Sequence, residues 1–217
     1  MKNIRNVIFD LGGVVMNFDF EGAGKMFKQL GITSAGGGAD ISQLSSYKKE
    51  IAKLINDFIN GFVNAGELAA QLLPYCAKGV EVSHIMQGLK TLSGSLPASR
   101  LEMLVKLRKA GYKVFLLSNI NEEMWQQTVA LIGEQGYTVA ECFDATFLSY
   151  SMHVAKPAPM IFSRMIAETA IDPAESLYFD DLAENIEAGS AAGLYSVLVK
   201  SNELESCESY KELINDL

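Results

Sequence analysis

Four short stretches of this chain carry side chains whose types could do chemistry. Asp10 follows the apolar residues Val7, Ile8 and Phe9 and precedes the glycine pair Gly12 and Gly13. Ser118 and Asn119 end a second apolar run, Lys156 stands before Pro157, and Asp180 and Asp181 follow a third apolar run. A carboxylate at the end of a buried strand, followed by glycines, marks a candidate ligand site. Open α/β sheets place ligands at the carboxyl ends of their strands, and glycines let the backbone turn sharply and approach a ligand closely. Each stretch also has an ordinary reading. Asp10 could cap a turn, Ser118 and Asn119 could cap a helix, Lys156 could be a solvated charge, and the acidic pair could cap the helix from Leu182.

The elements that would position these groups follow from hydrophobic periodicity. Val7 to Phe9 is apolar without alternation, as in a central parallel strand covered on both faces. From Asn17 to about Ser95 the pattern is helical. Ile51, Leu54, Ile55, Phe58 and Phe62 share one face, and Asn64 with Glu67 resembles a capping box that opens a helix through Leu68, Leu72 and Leu73. Another helix is expected from Val82 to Leu92, and Thr33 to Asp40 is glycine-rich and predicted as a loop. Such a block is too long for a loop between sheet elements. After Pro97 strands and helices alternate. A helix through Leu101, Leu104 and Leu107 stops at Gly111, and Lys113 to Ser118 is a strand. A helix from Asn121 to Glu134 precedes a strand from Cys142 to Leu148. Pro157 to Thr169 is helical, Ser176 to Phe179 a strand, Leu182 to Ala192 a helix, Tyr195 to Val199 a strand, and a helix runs from about Ser206 to Leu217. This alternation predicts an α/β fold, a Rossmann-like doubly wound parallel sheet with an inserted all-helical cap. The expected division is residues 1–16 and 96–217 for the core and 17–95 for the cap. In the sheet, Asp10, Ser118, Asn119 and the acidic pair would share one edge, with Lys156 nearby.

Composition narrows the partners. The net charge of -8 offers no basic excess to offset phosphate charge, which argues against nucleic acid and anionic membranes. No run approaches the roughly 20 apolar residues of a membrane span. Cys76, Cys142 and Cys207 are scattered without metal-ligand spacing, and fit a reducing compartment. A cytoplasmic protein, monomeric or weakly dimeric, is expected.

The order and spacing of these stretches resemble the haloacid dehalogenase superfamily of phosphohydrolases over nearly the whole chain. Phe9 to Val14 matches its first motif, Leu117 to Asn119 its second, Lys156 and Pro157 its third, and Phe179 to Asp181 with Asn185 its fourth. The chain looks closest to sugar-phosphate phosphatases and to the phosphatase domains of epoxide hydrolases. The resemblance implies that Asp10 attacks phosphorus and becomes an aspartyl-phosphate that water hydrolyses. It implies Mg2+ held by Asp10, the Gly12 carbonyl, Asp180 and Asp181. Lys156 would neutralise the transferring phosphoryl group, while Ser118 and the N–H groups of Leu11 and Asn119 hydrogen-bond its oxygens. A helical cap would exclude water and select the leaving group of a small phosphorylated metabolite.

Two positions depart from the family pattern. A second aspartate, the general acid/base, usually stands where this chain has Gly12, and a glycine commonly stands where it has His153. Asp19 is a candidate replacement acid, and His153 is read as local packing. Three functions remain open: a magnesium-dependent phosphatase, a metal-free dehalogenase, and a non-catalytic binding protein. The acidic pair separates the first two, because two carboxylates beside Asp10 repel one another unless a cation binds.

Overall fold

The computed structural model describes residues 4–32, 46–90 and 94–215. In chain order these form β1 (Asn6–Phe9), α1 (Phe20–Gln29), α2 (Ser46–Ile59), α3 (Ala65–Leu72), α4 (Val82–Lys90), α5 (Ala98–Lys109), β2 (Lys113–Ser118), α6 (Glu122–Glu134), α7 (Val139–Cys142), β3 (Ala145–Leu148), α8 (Ser149–Met152), α9 (Pro159–Thr169), β4 (Ser176–Asp180), α10 (Ala183–Ala191), β5 (Tyr195–Leu198) and α11 (Glu208–Asn215). The glycine-rich stretch from Thr33 to Asp40 and the last residues expected of the helix from Val82 lie outside the described residues.

The strands make one parallel sheet in the order β3-β2-β1-β4-β5. β1 is central and fully covered: Val7 and Phe9 join the apolar cluster on one face, Ile8 the cluster on the other. That two-sided burial is why its sequence shows no alternation. Successive strands extend from β1 to β2 and β3 on one side and to β4 and β5 on the other, so the winding reverses beside β1, where such sheets open a crevice. Helices α1–α4 close around a third apolar cluster of their own, centred on Leu68, Leu72 and Ile85. The capping box of Asn64 and Glu67 is present at the start of α3.

Two expected elements differ. The strand predicted from Cys142 begins at Ala145, because Thr138 and Glu141 form a capping box that winds Val139–Cys142 into a helical turn. Phe62 is not on the apolar face of α2: the helix ends before it with Gly61 at φ 76°, and Phe62 is left 51% exposed.

Candidate active site

Parallel register brings the chemistry together. Phe9 lies opposite Leu116 of β2 and Phe179 of β4, so the next residues, Asp10, Leu117 and Asp180, meet at the carboxyl edge of the sheet. The Asp10 N–H donates to the Phe179 carbonyl at 2.9 Å, which continues the ladder to the carboxylate itself. Asp10, Asp180 and Asp181 each present a carboxylate oxygen within 4.8 Å of the others. Lys156 enters beneath them, buried, and is no solvated charge. Its Nζ lies 2.8 Å from Asp10 Oδ1 and donates at 2.6 Å to Asp180 Oδ2 and at 2.8 Å to the Leu117 carbonyl.

Asp180 is saturated. Its Oδ1 accepts from the Leu182 N–H and Asn185 Nδ2, both at 2.9 Å, and its Oδ2 accepts from Lys156 and the Tyr178 hydroxyl. These four bonds fill the lone-pair directions of a carboxylate. Burial alone would raise its pKa, but the charge and hydrogen bond of Lys156, with the Tyr178 and Leu182 donors, hold it below the usual carboxylate value. Burial acts in the same direction on Asp10 but there prevails: its carboxyl is pushed up to about 7, with Lys156 opposing and Asp180 and Asp181 adding to the rise. Asp181 is raised too, chiefly by burial, with the nearby Ser201 hydroxyl opposing and Asp180 reinforcing. Lys156 stays charged, since its two carboxylates outweigh the burial that would lower it.

Three carboxylates therefore face one ammonium, which leaves a deficit of positive charge. Asp10 and Asp181 retain free lone pairs. At the glycine turn the Leu11 carbonyl accepts from the Met16 N–H at 2.7 Å and the Gly13 carbonyl from the Asn202 N–H at 2.6 Å. Among the described residues, the Gly12 carbonyl accepts no hydrogen bond. Two open carboxylates and an open carbonyl are hard oxygen donors of the kind that bind Mg2+, so these residues fit the divalent ion that the family pattern implies. Gly13 lets the acidic pair approach: its φ is 76°, and a Cβ there would stand 2.2 Å from Asp181 Oδ2.

The remaining predicted residues fall as follows. Ser118 ends β2, buried, one step beyond Leu117. Asn119 does not cap a helix; that role falls to Asn121, whose side chain accepts from the Met124 N–H. The Asn119 amide instead grips the Lys156 backbone, donating to its carbonyl and accepting its N–H, both at 2.8 Å. The acidic pair is no side-chain N-cap for α10, whose N-cap residue is Leu182. Asp19 is the N-cap of α1, accepting from the Gly22 N–H at 2.8 Å. His153 is exposed rather than packed, and sits at φ 52°, in the left-handed region where glycine is at ease. Tyr178 was missed, although a residue two before Asp180 on a strand must share its face. Its burial and the neighbouring Asp180 charge raise its pKa well above the ordinary phenol value, so it remains a donor.

The helical segment leans on the rim of this site. Asn121 Nδ2 donates to the Phe58 carbonyl at 3.2 Å, and Gly61 packs so tightly that a Cβ would stand 2.2 Å from Tyr150 Cβ.

The family model of haloacid dehalogenase-like hydrolases matches residues 4–193. The chain belongs to this family. Among proteins similar to the hydrolase is a D-ribitol-5-phosphate phosphatase of Bacteroides thetaiotaomicron, 29% identical over 88% of this chain and 89% of that protein. A HAD family enzyme of Bacteroides thetaiotaomicron, solved as a magnesium complex, is 28% identical with a TM-score of 0.77, covering 94% of this chain and 98% of that one. It has also been solved with magnesium and inorganic phosphate. A HAD-like family hydrolase from Porphyromonas gingivalis is 26% identical with a TM-score of 0.77, covering 99% of this chain and all of that one. No helix among the described residues of the hydrolase is long and apolar enough to cross a membrane.

Proposed function

We propose that this hydrolase is a magnesium-dependent phosphatase of small phosphorylated metabolites, sugar or polyol phosphates, acting through a phosphorylated Asp10. The observation that carries this reading is the charge arrangement: three carboxylates within 4.8 Å of one another, answered by one ammonium. A dianionic phosphate ester could not approach that set without further positive charge. The ribitol-phosphate phosphatase and the magnesium and phosphate complexes among its relatives support the same reading. A metal-free dehalogenase, whose substrate is also an anion, would have no use for the acidic pair.

Asp10 attacks phosphorus as the bond to the leaving oxygen breaks, and water then cleaves the acyl phosphate to return the carboxylate and release phosphate. Lys156 holds Asp10 in place and offsets charge on the transferring group, itself set by the Asn119 amide. Ser118 and the N–H groups of Leu11 and Asn119 receive the phosphoryl oxygens. Asp10, Asp181 and the Gly12 carbonyl would hold magnesium, which when bound supplies positive charge to the phosphoryl oxygens. Asp180, expected as a fourth ligand, is read instead as the fixed counter-ion of Lys156, because its lone pairs are spent. We read residues 17–95 as a cap over a core of 1–16 and 96–217. It would exclude water and select the leaving group.

No carboxyl group stands at residue 12 to protonate a departing alcohol, and Asp19 is engaged at α1. General acid–base help is worth about 10²–10⁴-fold, so substrates with an acidic leaving oxygen, such as anomeric sugar phosphates, are favoured. The test is phosphate release from hexose 1-phosphate, hexose 6-phosphate and D-ribitol 5-phosphate, with and without magnesium, in the wild type and Asp10→Asn. Metal-dependent release that Asp10→Asn abolishes is expected. Release that survives in thoroughly metal-free protein, or in Asp10→Asn, would sink the phosphatase reading. A preference for the 6-phosphate over the 1-phosphate would sink the leaving-group argument alone.

A further inference from the structure

Outside the site, the largest fully buried side chain among the described residues is Arg100, in the first turn of α5. Every N–H of its guanidinium is used. Nε and Nη2 donate to Glu205 Oε1 and Oε2 at 2.7 and 2.8 Å, and Nη2 also donates to the Asn202 carbonyl at 3.2 Å. Nη1 donates to Asn17 Oδ1 at 2.9 Å and to the Val15 carbonyl at 3.5 Å. A rigid fork of five donors suits such a junction, where a lysine would make fewer fixed bonds.

The junction lies where the helical segment joins the sheet. The outgoing and returning chains pair there, Asn17 and Ser95 exchanging two backbone hydrogen bonds at 2.8 and 3.0 Å. Asn202 completes the grip. Its Oδ1 accepts the Phe18 N–H at 2.8 Å, and its Nδ2 donates to the Phe18 carbonyl at 3.1 Å. Its own N–H donates to the Gly13 carbonyl at 2.6 Å, in the turn that lets Asp181 approach. Asn202 holds φ 66° to make these contacts at once. One residue thus touches both the catalytic turn and the exit of the helical segment.

We propose that Asn202, held by Arg100 and Glu205, is a positioning residue that fixes the pose of α1–α4 over the site and ties it to the Gly13 turn. The consequence for selectivity rests on the reading that these helices choose the leaving group. Residues 15–18 are clamped on three sides, by Arg100, Ser95 and Asn202, so the chain leaves Phe18 toward α1 in one fixed direction.

Asn202→Gly isolates the clamp. Glycine accepts φ 66° without strain, keeps the N–H to Gly13 and the carbonyl to Arg100, and deletes only the two bonds to Phe18. Hydrogen exchange is read at Asn17 and Ser95, whose N–H groups donate to each other's carbonyls and not to Asn202. They are expected to exchange about tenfold faster, as loss of one or two net hydrogen bonds predicts, with β1 and β2 unchanged. The second readout is kcat/KM for a sugar phosphate relative to acetyl phosphate, whose leaving group is small. That ratio is expected to fall about tenfold through KM of the sugar phosphate, because a smaller fraction of molecules holds the competent pose. Unchanged exchange at Asn17 and Ser95, faster exchange throughout the sheet, or an equal loss on both substrates would overturn the proposal. A wild type inactive on every phosphate ester would sink the phosphatase reading, and the exchange data would still decide the positioning role.

Discussion

Two adjacent glycines make opposite demands, and substituting each by alanine gives a sharp test of the site. At Gly12 an added Cβ meets nothing within 4 Å, whereas at Gly13 it would stand 2.2 Å from Asp181 Oδ2 and 2.5 Å from Ser201 Oγ. Relieving that clash moves the Asp181 carboxylate by about 1 Å, and a displacement of that size at a reacting centre costs about 10²-fold in rate. Gly13 also sits at φ 76°, where an L-residue costs roughly 1–2 kcal/mol. For a chain of this length that lowers Tm by only about 2–8 °C. Gly13→Ala is therefore expected to fold, to lose about 10²-fold in kcat/KM, and to bind magnesium more weakly. Gly12→Ala should stay within about threefold of wild type. The assays are steady-state kinetics on a common phosphate ester, magnesium titration calorimetry and thermal denaturation of both variants. If Gly13→Ala keeps wild-type magnesium affinity and rate, Asp181 is not where the chemistry needs it. Equal losses in the two variants would show that the turn matters only as backbone.

Tyr178→Phe removes a buried donor to the Asp180 carboxylate, a bond of a kind worth about 1.5–3 kcal/mol; Tm should fall by roughly 3–12 °C, and an unchanged Tm would dismiss the four-bond network around Asp180. His153→Gly relieves a left-handed backbone and should stabilise by about 0.5–1 kcal/mol; a fall in the midpoint of urea unfolding would contradict that. Because burial pushes Asp10 up to about 7, protons compete with magnesium below that pH, so affinity should strengthen as pH rises toward 7 and level off above it, with proton release visible by calorimetry in buffers of different ionisation heat. The same shift means that metal-free folded protein holds this proton more tightly than the unfolded chain, so its stability should decline as pH rises from about 4 through 7. Pairs of thermal scans at pH 5 and pH 8 without metal check the sign.

The sheet, and the edge at which Asp10 and Asp180 meet, were legible because both rest on local patterns. An apolar run ended by Asp10, and another ended by Asp180, announce strand ends directly, and parallel pairing then leaves those ends nowhere to go but the same edge. What escaped notice depends on contacts made across the fold. Tyr178 looked like one more core residue in an apolar strand; it lies on the face opposite Phe179, where its hydroxyl reaches Asp180. Asn119 read as a helix cap because asparagine before a helix usually is one, yet its amide serves the backbone of Lys156, 37 residues away. Arg100 stands next to the periodic leucines of α5 and carries no sequence mark of burial; its partners come from residues 15–17 and 202–205. The start of β3 differs from the expectation at Cys142 for a local reason, the capping box of Thr138 and Glu141.

The central position of β1 has a consequence for how the molecule is made. Val7 pairs with Val114 on one side and Leu177 on the other, so the strand synthesised before all the others must wait for both neighbours. At about 5–20 residues per second the second of them follows after roughly 10–30 s. For the first part of that interval, until β2 (Lys113–Ser118) has been made, Val7, Ile8 and Phe9 have no strand to pair with. Helices α1–α4 need no such wait, since among the described residues the cluster they bury draws on positions between Met26 and Leu89, and short-range contacts form fastest. On the ribosome the helical segment is thus the first part able to settle, while one edge of β1 stays unpaired until the chain has passed Asp180.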